Sequence, residues 1–398
     1  KAEDFKAASE AFKQARIAEP PAFYLVDLID CAIQLGHEEE ALEHTNTLID
    51  MYSHAEMGYI LKHQILTVAK SPEMPNVIKE FRTKFPRHPW GFYVAGVALN
   101  KAGRSEEAIK AFSHAIDLHH KYGDEEITRF DSKLGRCYFL LGIALHNLGR
   151  KQEALDWYTA SIKDQPSVEA YEMRAAALFS LKQWEESLET CLEGLTHFED
   201  MALATGAVHS LISLERYTDA LLLIDKHTDA FASNRVEAMV LIAHISGLVG
   251  HLDDALDVWE RAVEYAPTHL NAKLGLLTTL IRMTKFDTVL EKTDEWLKED
   301  PFNSEIQYSR LLALNTLGRH KEVMQTVNRM LANKTNKPSQ EESLTLIHHL
   351  IWALEALEDW QGCYDACKLN AKLAADMGLV SQEFEMNKVR AVKCAYML

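Results

Sequence analysis

Apolar residues recur along this chain at helical spacing. In 236–249 the apolar set includes Val240, Ala243, Ile245 and Leu248, and the stretch that follows carries Leu256, Trp259 and Val263. Intervals of three and four residues place such side chains in one stripe on a helix face. No stretch alternates strictly for long enough to make a strand. Charges interrupt the apolar runs every few residues, so none reaches the roughly 20 residues of a membrane-crossing helix. The pattern predicts an all-α chain with no membrane insertion.

The helices are punctuated by a recurring phrase. Leu35-Gly36-His37-Glu38-Glu39-Glu40-Ala41-Leu42 is echoed by Ala102-Gly103-Arg104-Ser105-Glu106-Glu107-Ala108-Ile109. Leu148-Gly149 through Ala154-Leu155 and Val249-Gly250 through Ala255-Leu256 repeat it again. Glycine there ends one helix in a left-handed turn, and the next helix starts two residues later. The alanine that follows lets the second helix approach the first closely. Marks of this kind fall at Gly36, Ala69, Gly103, Gly149, Lys182, Glu215, Gly250, Thr284, Gly318 and Glu358. Most steps between neighbours are about 33–35 residues, with one of about 46 and a last one of about 40.

This ladder resembles the tetratricopeptide repeat family over essentially the whole chain. Other slots agree. Small residues occupy the first helix at Gly96, Gly142, Ala175 and Ala243, and the second at Ala41, Ala108, Ala154, Ser187, Ala220 and Ala255. Second-helix aromatics are Phe12, Phe112, Tyr158 and Trp259, and closing prolines are Pro20, Pro86, Pro166, Pro267 and Pro301. Proline fits there because it cannot continue a helix. Repeats at 55–86, 270–301 and 344–376 are degenerate, with Met74, Val289 and Cys363 in the small slot. The resemblance implies a right-handed superhelical α-solenoid of antiparallel helix pairs.

The register divides the chain. Residues 1–21 match only the second helix of a truncated repeat, through Ala8, Phe12, Ala15 and Pro20, so the natural protein is expected to extend upstream. A solenoid follows over 22–331, with an extended hairpin near 117–134 where about 12 residues are inserted. Residues 332–343 read as a loop, either a joint or a longer turn. The end, 344–398, reads as a degenerate repeat plus a C-terminal capping helix with Phe384, Val389, Val392 and Tyr396 on one face, the way a solenoid covers its last surface.

Composition narrows the function. The net charge of −17 offers no Lys/Arg face to neutralise phosphates, so nucleic acid is not an expected partner. An acidic surface reads first as a well-solvated one that keeps an array soluble, and the alternative is a preference for basic segments as partners. Six scattered cysteines, mostly in apolar helical runs, read as buried free thiols and favour a reducing, cytoplasmic setting. The first residue is Lys1, so a targeting segment is not excluded.

No catalytic motif is present: there is no phosphate-binding glycine loop, nucleophile elbow or zinc-protease helix. The pairs His119-His120 and His348-His349 point about 100° apart on a helix, and neither chelates alone. The expectation is no enzyme, no cofactor and no metal. The family's carboxylate clamp for chaperone C-termini is absent too. Its slots hold Phe139, Ile143, Met173, Ala202 and Gly206.

Positions that face the concave side in this family fall on Trp90, Tyr93, Asn100, Phe139, His146, Asn147, Glu172, Thr205, His209, His244, Thr278, Tyr308, Asn315, His348 and Trp352. Rings as anchors beside amides and imidazoles suit a peptide or helix of a partner protein. The alternative is that these rings fill space between neighbouring first helices. The leading reading is a scaffold or adaptor that binds such a segment in the concave groove. Two others stay open: a recruiting module of a larger enzyme, such as a glycosyltransferase, and a sensor of a peptide signal.

Overall fold

A computed structural model describes residues 22–52, 56–122, 131–232, 234–378 and 382–397. Among them are twenty-one α-helices and no strand. Consecutive helices pair antiparallel, and the fold is an α-solenoid of such hairpins. The chain divides into two compact units, ending at Leu214 and starting at Glu215.

In the first unit, α1 (Ala22–Leu35) pairs with α2 (Glu38–Met51), and α3 (Glu56–Val68) with α4 (Met74–Lys84). Then α5 (Trp90–Lys101) pairs with α6 (Ser105–Tyr122), α7 (Asp131–Asn147) with α8 (Lys151–Asp164) and α9 (Val168–Ser180) with α10 (Trp184–His197), before α11 (Met201–Ser213). In the second unit, α12 (Tyr217–Lys226) comes first. It is followed by the pairs α13 (Arg235–Val249) with α14 (Leu252–Tyr265) and α15 (Leu270–Arg282) with α16 (Phe286–Trp296). The pairs α17 (Ser304–Thr316) with α18 (His320–Leu331) and α19 (Gln340–Ala356) with α20 (Trp360–Asp376) lead to α21 (Gln382–Met397).

The repeat is written in backbone dihedrals. Every mark of the sequence ladder except Ala69 has a positive φ: 75° at Gly36, 62° at Lys182, 58° at Glu215, Thr284 and Glu358, and the same sign at the other glycines. At the five glycines a hydrogen bond from the following N–H runs back across the turn, as from Arg104 to the Leu99 carbonyl at 2.9 Å and from His251 to Ser246 at 2.9 Å. This closes the left-handed helix end. The one misplaced mark belongs at Lys70, φ 51°. There the second helix starts later than its counterparts, at Met74, so the small slot falls on buried Val77 rather than Met74.

Close approach of the two helices follows from the small slots. Ala41, Ala108, Ala154, Ala220 and Ala255 are fully buried. Ser187 is tolerated among them because its hydroxyl donates to the Ala175 carbonyl at 2.9 Å. A Cβ added to Gly96 would stand 2.6 Å from Phe112, and one on Gly142 would stand 2.6 Å from Tyr158. The bulk of Trp259 meets Gly275 of the next hairpin, where an added Cβ would lie 2.4 Å from the indole. The six cysteines are free and buried.

The inserted hairpin shows as two long helices, α6 of 18 residues and α7 of 17; most of the insertion itself lies outside the described residues. So do 1–21, with Phe12 and Pro20, and the Phe384 side chain. Helix α19 begins at Gln340, inside the stretch read as a loop, because Ser339 and Glu342 form a capping box. The C-terminal helix is turned from its expected pose. Cys394 and Ala391 pack against α20, while Arg390 and Lys393 reach Glu355 at 3.6 and 2.7 Å. Val389, Val392 and Tyr396, expected to face inward, are 70–89% exposed. No helix among the described residues is long and apolar enough to cross a membrane.

Candidate partner-binding surface

The left-handed residue after each first helix sorts the side chains of that helix into rows. Six residues before it the chain points to solvent, at His209 in the first unit and at His244, Thr278 and Trp352 in the second. Ten residues before it the side chains are half-buried, at Tyr93 and Thr205, and again at Tyr308 and His348. A third row, three residues before the turn, holds Asn100 and His146, both half-buried. Asn147 is exposed at the end of α7.

Three residues expected to face a groove are buried instead. Trp90 opens α5 with its ring against Phe81 at 4.6 Å and His63 at 5.2 Å between centroids, which makes it core. Phe139 is 7% exposed, with Tyr158 at 6.0 Å on one side and the Arg136 guanidinium 4.7 Å over its face. Asn315 is 3% exposed. Its amide donates to the His349 carbonyl at 3.1 Å, and its oxygen lies 3.2 Å from His320 Nδ1. It ties α17 to α19 and presents no free amide. Sequence spacing identifies the row a residue stands in but not how far the neighbouring hairpin covers it.

In the first unit the remaining residues are Tyr93, a half-buried ring, and polar side chains on α5, α7 and α11. Burial raises the Tyr93 hydroxyl above its usual pKa, while Arg136, on the next first helix, pulls it back down. Asn100 Oδ1, His146 Nδ1 and Thr205 Oγ1 are buried and have no hydrogen-bond partner among the described residues. Burial, with Lys151 nearby, lowers the His146 pKa, so its ring is neutral at pH 7 and can both donate and accept. In the second unit, burial and Glu342 push Tyr308 up to about 12, and the Ser304 hydroxyl donates to Glu342 across from α17 to α19.

The sequence reading passed over Arg136 and Gly275. An isolated glycine within a helical run was the available signal for Gly275; Arg136 had none. His120 Nε2 lies 3.1 Å from the Tyr138 hydroxyl, and the His348 and His349 rings stand 6.2 Å apart between centroids. Among the described residues no group of three or more His, Cys, Asp or Glu side chains is placed to hold a metal ion.

Hairpins of this length, turn and small-residue packing define a helical-repeat solenoid. The family model for the tetratricopeptide repeat matches residues 135–167, the hairpin of α7 and α8. No curated protein matches the chain. Among solved structures, yeast Tom70 is similar at 12% identity, with 99% of this chain and 93% of that chain covered and a TM-score of 0.49. A tetratricopeptide repeat protein from Parabacteroides merdae is similar at 13% identity, covering 76% of this chain and 98% of that one, TM-score 0.46. The C-terminal part of a repeat protein from Cytophaga hutchinsonii follows at 17% identity, 62% and 98% coverage, TM-score 0.47. Likenesses at such identities and scores carry no functional implication.

Proposed function

We propose that this protein is a non-catalytic scaffold or adaptor whose first helices, in the unit ending at Leu214, hold a peptide or helical segment of a partner protein. The observation that carries this reading is the set of orphaned polar atoms on α5, α7 and α11: Asn100 Oδ1, His146 Nδ1 and Thr205 Oγ1. A buried polar atom left without a partner costs about 1–3 kcal/mol. A folded chain that keeps three such atoms on equivalent helices gains from a ligand that satisfies them. Peptide N–H groups are the complement for Asn100 and Thr205, and His146 takes either a donor or an acceptor. Tyr93 supplies a half-buried ring beside them, the kind of anchor on which binding energy concentrates. Phe139 supports this face from beneath, which makes it unsuitable as a probe of binding.

The test uses partners recovered by affinity capture with the intact chain, then titrated against Asn100→Ala and Thr205→Val. Each substitution removes an atom that is unsatisfied in the free protein. The melting temperature is therefore expected to hold or rise, while affinity falls by about 1–2 kcal/mol. Variants that lose stability yet bind normally would show that these atoms serve the fold, and the proposal would fail.

A further inference from the structure

A second binding feature lies in the unit that starts at Glu215. Helix α12 is only 10 residues long, whereas α8, α10 and α14 each run to 14. Instead of a last turn, the chain bends through 227–232, held by bonds from Ala230 N–H to the His227 carbonyl and from Ala232 N–H to Asp229, each 3.1 Å. Beside this bend is a cleft of about 520 Å3, within the roughly 300–1,000 Å3 of ordinary ligand sites. Ile224, Phe231, Met239 and Ile242 make its apolar lining, with Leu221 at the edge. Ile224 and Phe231 are buried, while Leu221 and its neighbour Leu222 are 37% and 62% exposed.

The rim is charged and only partly neutralised. Asp225 and Asp229, four residues apart, stand on the α12 side, and Arg235 and Arg261 stand opposite. Arg261 lies 3.7 Å from Asp257; among the described residues the side chains of Asp225, Asp229 and Arg235 make no ion pair. An apolar centre ringed by unpaired charge is the anatomy of a protein interface. Its walls are α12, the bend after it and α13, with Arg261 from α14, and about 520 Å3 has room for a large apolar side chain and the helix turn that carries it. The unpaired acidic pair, within a chain of net charge −17, selects a basic flank.

We propose that this cleft docks one turn of an amphipathic helix from a partner protein, which inserts a large apolar side chain and places Lys or Arg against Asp225 and Asp229. The site uses no residue of the first-helix face.

The test is a panel of fluorescent amphipathic peptides, each with a central Leu, Met or Phe, flanked by Lys in one series and Glu in its twin. The Lys series is expected to bind the full chain. Filling the cleft with Ala238→Trp is expected to weaken it by about tenfold. The exposed double change Asp225→Lys with Asp229→Lys leaves the core untouched, so it answers even if the cleft-filling variant does not fold. It is expected to weaken the Lys series and strengthen the Glu series by about tenfold each. Asp156→Lys, an exposed charge reversal outside the cleft, is expected to leave both unchanged. If neither series binds, if binding ignores both cleft variants, or if only a small uncharged apolar dye occupies the cleft, the helix-docking assignment is overturned.

Discussion

Thr284 sits at φ 58° in a slot that glycine fills at Gly36, Gly103, Gly149, Gly250 and Gly318. The left-handed conformation costs an L-residue roughly 1–2 kcal/mol, and a β-branched side chain sits there worst of all. Thr284 is exposed, so its side chain buries nothing in return. Thr284→Gly is therefore expected to stabilise the protein by about 1 kcal/mol, after allowing for the larger unfolded-state entropy of glycine. The reverse change, Gly318→Thr, is expected to destabilise by a similar amount, and denaturant unfolding of the two variants checks both signs. These slots show why the repeat was legible in the sequence even where glycine is missing. The geometry of the turn recurs at fixed spacing, and Lys182, Glu215 and Glu358 keep the place with the wrong residue. Ala69 was misplaced by one because the extra residues before Met74 leave no trace in the phrase itself.

Between helices, the side chains that looked like groove amides and imidazoles divide into ties and free groups, and this division was not legible. Asn100 and Asn315 occupy the same slot, yet Asn315 is consumed by the His349 carbonyl and His320, whereas Asn100 Oδ1 has no partner. The difference lies in what the neighbouring first helix brings alongside, a tertiary fact. The α17–α19 tie has a pH signature. Burial, with His348 adding, lowers His349 from its ordinary 6.5 to about 4; Asn315 faces it from α17, and His320 stands behind that amide. Below pH 6.5 the unfolded chain protonates this histidine while the folded chain does not, so the unfolded state binds more protons and stability falls with pH until about 4. His63 acts in the same direction through burial and Lys101. Thermal unfolding followed from neutral toward acid pH should decline less steeply in His349→Gln than in the parent. Equal slopes would mean that His349 does not titrate as its burial implies.

Within each unit, each hairpin touches chiefly the ones before and after it in sequence, so stability is a sum of local terms and nearest-neighbour contacts. The pattern of hydrophobic and polar positions was enough to read this organisation, because small and large residues alternate with the repeat: Gly96 under Phe112, Gly142 under Tyr158, Ala255 buried against its partner helix. What it could not reveal was which side of a terminal helix turns inward. Val389, Val392 and Tyr396 made the better apolar stripe, but Glu355 draws Arg390 and Lys393 to itself and rotates that stripe outward. A one-dimensional array makes a distinct prediction about where a mutation is felt. Thr284→Gly should slow amide exchange in α15 and α16 and, more weakly, in α14 and α17, while leaving α5 through α8 unchanged, because no single core connects them. Exchange measured by peptide-level mass spectrometry reads this directly. A uniform gain in protection along the chain would instead mean that the hairpins unfold as one cooperative block, and nearest-neighbour stacking would then be the wrong description of how this protein is held together.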